Sequence, residues 1–264
     1  MNKTKIDWCD FTWNPVTGCL HGCEYCYARK VTERFGKPVN NACILHFNDD
    51  DKSIRWIPEK IHGNPYPNGF EPTYLPFRLD EPAQKKNPGT IFVCSMADLF
   101  GEWVPDQIIR QVLQAARNAP WHRYLFLTKN PARYETIPPE WFVGIDAWIG
   151  TTVTSNADLR LGSSRIEALS DTWKAGLNWF VSVEPLLEEM DETSLEQIGC
   201  MDWVIIGAES GTRPEKVVPE KGWIDTIAAK CAECGVPVFM KQSVKEIMGK
   251  DFRQEWPWET GEEA

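Results

Sequence analysis

From residue 90 onward, short β-branched or aromatic runs alternate with amphipathic segments. The strand candidates are Thr90–Met96, Tyr124–Thr128, Ala147–Val153, Trp179–Val183, Trp203–Ile206 and Val236–Met240. Between the first two, Ile108, Ile109, Val112, Leu113 and Ala116 recur on one helical face, with Pro105 near the first turn and Pro120 beyond the end. The same reasoning predicts helices over 156–169 and 221–234, the latter closed by Gly235. Strands that alternate with helices imply a parallel sheet with right-handed crossovers. Six or seven such units beside an N-terminal strand predict a full or partial (β/α) barrel, with a doubly wound open sheet as the alternative.

The upstream part reads differently. Residues 7–18 form an extended aromatic stretch ending in the turn Asn14-Pro15-Val16-Thr17-Gly18, and residues 27–36 suit a helix stopped by Gly36 and Pro38. Seven prolines between Pro58 and Pro88 argue against regular helices or central strands. Residues 40–89 are therefore expected to be an irregular Pro-rich insertion with one short helix or strand, anchored by Trp56, Tyr66, Phe70, Tyr74 and Phe77. The whole of 1–264 is expected to be a single domain carrying that insertion.

Composition narrows the partners. The formal net charge of −10 argues against non-specific nucleic-acid binding, because neutralising phosphates needs clustered Lys and Arg. No apolar stretch approaches the roughly 18 residues of a membrane span, and the N-terminus lacks the apolar core of a secretion signal. A cytoplasmic location is expected. Nine cysteines in such a chain point to metal or redox chemistry rather than to a disulfide framework.

Polar residues recur where the predicted strands end: Ser95 and Asp98, Lys129, Thr152 and Thr154, Glu184, Glu209, and Lys241. In barrels and open α/β sheets that edge carries the active site. Solvated strand ends are the plainer reading of any one of them.

Cys19-Leu20-His21-Gly22-Cys23-Glu24-Tyr25-Cys26 has the form C-x3-C-x2-C. Three thiolates on one short loop repel one another and coexist only around a cation. Zinc in a structural site takes four protein ligands, and His21 lies between the cysteines. An iron–sulfur cube held by three cysteines keeps one iron open for a substrate or cofactor.

C-x3-C-x2-C with an aromatic residue before the last cysteine, here Tyr25, resembles the motif of radical S-adenosylmethionine (SAM) enzymes. The resemblance implies a 4Fe–4S cluster on Cys19, Cys23 and Cys26, following the first strand (Trp8–Trp13) of a partial (β/α) barrel of six to seven parallel strands. It implies S-adenosylmethionine chelated at the open iron and split to a 5′-deoxyadenosyl radical that acts on an unidentified substrate. A reducing partner such as flavodoxin or ferredoxin follows from that chemistry.

Trp13–Cys19, Cys26-Tyr27-Ala28, Ile91–Phe100, Leu127-Thr128-Lys129, Ser182–Leu186, Trp203–Gly211 and Phe239–Gln242 further resemble a phage and bacterial radical-SAM-like family without a defined reaction. A bacterial or phage-encoded protein of the host cytoplasm is implied. Where many radical SAM enzymes carry a Gly-Gly-Glu-type segment for the cofactor's amino group, this chain has Ser95-Met96-Ala97-Asp98. Ser95 or Asp98 is expected to take that role, Thr152 or Thr154 to meet the ribose, and Lys129, Glu184, Glu209 and Lys241 to serve catalysis or substrate binding.

The remaining features carry less. Cys231 and Cys234 read as buried thiols in a helix interface, Cys94 as core within a strand, and Cys9, Cys43 and Cys200 as scattered. His46, His62 and His122 read as loop or surface residues, and Glu259–Ala264 as a solvated end. A non-catalytic zinc or iron–sulfur interaction protein is the alternative function, as is a nucleic-acid-modifying or nucleotide-modifying protein with an auxiliary cluster.

Overall fold

The computed structural model describes residues 1–37, the backbone of 45–49, and residues 52–160, 176–210 and 213–259. They fall into two compact units, Met1–Trp148 and Ile149–Ala264.

In the first unit the elements are β1 (Asn2–Lys3), β2 (Phe11–Trp13), β3 (Val16–Thr17), α1 (Tyr27–Phe35), β4 (Leu45–Asp49), β5 (Lys52–Trp56), β6 (Thr73–Tyr74), α2 (Glu81–Gln84), β7 (Thr90–Val93), α3 (Asp106–Arg117) and β8 (Arg123–Thr128). The main strands run in the order β1-β2-β7-β8. β1 is antiparallel to β2, whereas β2, β7 and β8 are parallel, with Trp13 opposite Val93 and Val93 opposite Phe126. All four residues of β7 are buried, as a strand covered on both faces demands. The stripe Ile108, Ile109, Val112, Leu113 and Ala116 of α3 is buried as its spacing predicts. At roughly 1.5–3 kcal/mol for each large apolar side chain, that face secures the helix.

The second unit begins within β9 (Asp146–Val153), the strand that carries the chain across the division. It continues through β10 (Asn178–Val183), α4 (Glu192–Ile198), β11 (Trp203–Ile206), α5 (Lys221–Cys234), β12 (Val238–Met240) and α6 (Lys245–Met248). Its strand order is β9-β10-β11-β12, and β10, β11 and β12 are parallel. Trp203 anchors this core: its ring lies 5.9 Å from Phe180, 6.0 Å from Phe239 and 5.1 Å from Trp258, and its indole N–H donates to the Glu255 carbonyl at 2.9 Å.

The architecture is mixed α/β with mostly parallel main strands, as the alternation predicts. Several details differ from the expectation. The N-terminal strand covers Phe11–Trp13 rather than Trp8–Trp13, because Asp7 and Trp8 turn. The strand expected over Thr90–Met96 ends at Val93, because Cys94 takes φ 58°, outside any extended conformation; Cys94 is core but not strand.

Residues 40–89 are more regular than their prolines suggest. Their described part holds three strands that join β3 in a second sheet of order β3-β6-β5-β4, followed by a 3-10 turn at Pro76–Arg78 and α2. His122 is buried, its Nε2 within reach of the Pro82 and Lys85 carbonyls at 3.2 and 3.0 Å, rather than on the surface. Cys231 is buried but Cys234 is exposed, so only one of that pair is an interface thiol. Residues 156–160 are helical; the rest of the helix expected to 169, Cys43 and residues 260–264 lie outside the described residues.

Candidate functional site

The cysteine loop is built onto the ends of β2, β7 and β8. Asn14, buried just past β2, accepts the Met96 backbone N–H at 2.9 Å and the Ser95 hydroxyl at 3.2 Å, which shapes the turn after β7. The Gly18 N–H donates to the Met96 carbonyl at 2.9 Å and the Cys19 N–H to the Phe70 carbonyl at 3.1 Å. Gly18 has φ 82°, and a Cβ there would collide with the Glu71 backbone, so the approach to the first cysteine needs glycine.

Cys19, Cys23 and Cys26 form no disulfide and are all half-buried on this loop. The Cys26 N–H closes a turn onto the Cys23 carbonyl at 3.2 Å, and the Cys26 sulfur caps α1 by accepting the Arg29 N–H at 3.4 Å. Burial pushes the Cys19 thiol up to about 12; the His21 backbone N–H opposes this, while Asp98, Cys23 and Cys26 add to it. In this trio the Cys19 thiolate is disfavoured by burial in the absence of a compensating cation. By donor type and spacing it suits a soft metal or an iron–sulfur cluster. Among the described residues no trio of His, Cys, Asp or Glu side chains converges on one metal-sized point.

The intervening residues are tied down. His21 Nε2 donates to Asp98 Oδ2 at 2.7 Å. The buried Asp98 carboxylate also accepts the Phe100 N–H at 3.0 Å, the Thr128 hydroxyl at 2.8 Å and the Lys129 N–H at 2.9 Å. Lys129 Nζ donates to the Tyr25 hydroxyl at 3.1 Å and lies 5.2 Å from the centre of that ring. The Tyr27 hydroxyl donates to the Ser95 carbonyl at 2.5 Å.

A cleft of about 630 Å³ opens beside the loop, lined by His21, Lys52, Trp103, Lys129 and Asn130 among others. The His21 and Trp103 rings meet edge to face at 5.0 Å. Cys19, Cys23, Cys26, Tyr25, Ser95, Asp98 and Lys129 are therefore brought together in the first unit. Asn14, Trp103 and Asn130 also take part; sequence reading passed over them, although a polar Asn right after a strand marks a strand-end clamp.

In the second unit Glu184 and Lys241 form an ion pair. Glu209, buried, takes Arg213 through two parallel bonds of 2.9 Å each. Thr154 directs both its N–H and its hydroxyl onto Asp158 Oδ2, at 3.0 and 2.8 Å, while the Asp158 N–H donates to Ser155 Oγ at 3.2 Å. The Ser155 hydroxyl thus caps the helix at 156–160, and the Thr154 proton is committed to Asp158. Thr152 stands half-buried on β9.

Among the described residues no helix is long and apolar enough to cross a membrane. No curated protein matches the sequence. Among solved structures, spore photoproduct lyase complexed with dinucleoside spore photoproduct is similar over 90% of this chain and 78% of the lyase, at 11% identity and a TM-score of 0.55. A double mutant of that lyase, with bound AdoMet and dinucleoside spore photoproduct, is similar over 87% and 74%, at 10% identity and a TM-score of 0.52. At such identities the likeness is one of fold alone. The profile of a sequence family matches residues 3–255, and the chain belongs to that family, described as Protein of unknown function (DUF5131).

Proposed function

We propose that this protein is a radical SAM enzyme, with Cys19, Cys23 and Cys26 as the ligands of a 4Fe–4S cluster and S-adenosylmethionine as its cofactor. The observation that carries the reading is the position of the cysteine loop. Three cysteine thiols sit on one loop just past β3, tied by Asn14 and Gly18 to the turn after β7, in a fold shared with a lyase that has been solved with AdoMet bound. When bound, the cluster would supply the electron that splits the sulfonium to a 5′-deoxyadenosyl radical.

The chain's own groups then have separable tasks. The Asn14 clamp and the Gly18 turn fix where the loop leaves the sheet. Lys129 holds Tyr25, the aromatic residue before the last cysteine, and borders the cleft. Ser95 remains a candidate for the cofactor's amino group, with Thr152 for its ribose. In the second unit Glu184, Lys241 and Glu209 are the proposed catalytic or substrate-binding charges. Glu184 and Lys241 each keep about a fifth to a quarter of their side-chain surface exposed (25% and 19%), whereas Glu209 keeps 1%. Glu184 and Lys241 therefore have the better access, and Glu209 acts through Arg213. The substrate is unidentified, an electron carrier such as flavodoxin or ferredoxin is the proposed partner, and the partial (β/α) barrel and a cytoplasmic location accompany the class.

Metal analysis tests the ligand set. Protein reconstituted without oxygen is expected to hold about four irons and four sulfides per chain, lost in Cys23→Ala. One zinc and no sulfide in the reconstituted parent would reject the cluster.

A further inference from the structure

We infer that His21 is a positioning residue: through Asp98 it locks the middle of the cysteine loop to the ends of β7 and β8. The observations are geometric. His21 occupies the gap between the first two cysteines, and its Nε2–H reaches Asp98 Oδ2 at 2.7 Å. Asp98 is 5% exposed and already receives backbone donors from Phe100 and Lys129 and the hydroxyl of Thr128, all between 2.8 and 3.0 Å. Its position is thus fixed from both strand ends, and a buried carboxylate held by several donors is a rigid anchor. Four donor groups use its acceptor capacity, which withdraws Asp98 from binding the amino group of a cofactor.

The loop needs such an anchor. Leu20 and Gly22, on either side of His21, are exposed, and Gly22 takes φ 71°. At its start the loop is held by the backbone bonds of Gly18 and Cys19, and near its end by the Tyr25–Lys129 contact. His21 supplies the hold between them, and its ring packs edge-on against Trp103 at 5.0 Å. The role in metal binding rests on the function proposed above. The ordering of the loop does not.

Amide hydrogen exchange on the metal-free chain reads the ordering directly. In His21→Ala and His21→Asn, exchange at residues 19–26 is expected to rise about tenfold, the scale of one charge-assisted hydrogen bond, with β11 unchanged. His21→Gln places an amide N–H where Nε2 stands, and should stay within about twofold of the parent. Asn is too short to do so. On reconstituted protein, a chelator should strip iron about tenfold faster from His21→Asn than from His21→Gln.

Unchanged exchange in His21→Ala, Gln no better than Asn, or loss of protection spread through β11 would each overturn the inference. If the parent binds no iron–sulfur cluster, the chelator arm falls with the proposed function, and the exchange arm still decides this one.

Discussion

The carboxylate of Glu184 and the ammonium of Lys241 meet across the bare backbone of Gly207. A Cβ on Gly207 would lie 3.0 Å from Lys241 Cδ and 3.1 Å from Glu184 Cγ and Cδ. The pair follows β10 and β12, while Gly207 follows β11 between them, so three successive strand ends meet at one point. Gly207→Ala is expected to push the two side chains apart and to cost about 1–2 kcal/mol, read from the urea midpoint. A wild-type midpoint would show that the close approach has no energetic weight.

Asn14 is the acceptor for a buried backbone N–H. Asn14→Ala leaves the Met96 N–H without its partner, and should destabilise the protein by about 1–3 kcal/mol. Asn14→Asp retains an acceptor for both the Met96 N–H and the Ser95 hydroxyl, and is expected to lose less than Asn14→Ala. Equal losses in the two variants would mean that side-chain packing, not hydrogen bonding, is what Asn14 provides.

Alkaline pH should weaken the first unit through Tyr74. Burial pushes this phenol from its ordinary 10.0 up to about 12, and its hydroxyl donates to Gln111. The unfolded chain therefore ionises first as pH rises. The Tyr74 contribution is complete below pH 10, declines as the unfolded phenol titrates, and is gone by about pH 12. Unfolding free energies measured between pH 8 and pH 11 should fall less steeply in Tyr74→Phe than in the parent. Parallel pH profiles would assign the alkaline loss to other groups.

Much of the fold was legible because its signals are local. Trp203–Ile206 and Lys221–Cys234 coincide with runs that periodicity alone delimits, since buried parallel strands are apolar on both faces and α5 ends at Gly235. The second sheet was not legible. Its members β3 and β6 are two residues long, and Val16 meets Tyr74 only after 57 intervening residues, so pairing rather than propensity makes the strands.

The candidate site divides in the same way. The three cysteines declare themselves by spacing, and Tyr25 and Lys129 by neighbouring motifs. The use of Asp98 does not, because its partners His21 and Thr128 lie 77 and 30 positions away and no local pattern marks where its lone pairs are taken up. Thr154 shows the converse. Expected to meet a ribose from its place after a strand, it also bonds Asp158, a partner four residues on at the start of the next helix that a capping pattern could have revealed.

Formation of 5′-deoxyadenosine tests the account most directly. Anaerobic, reconstituted protein given dithionite and S-adenosylmethionine should release it, and Cys23→Ala treated identically should not. No 5′-deoxyadenosine from parent protein that carries a complete, reducible cluster would contradict the assignment as a radical enzyme.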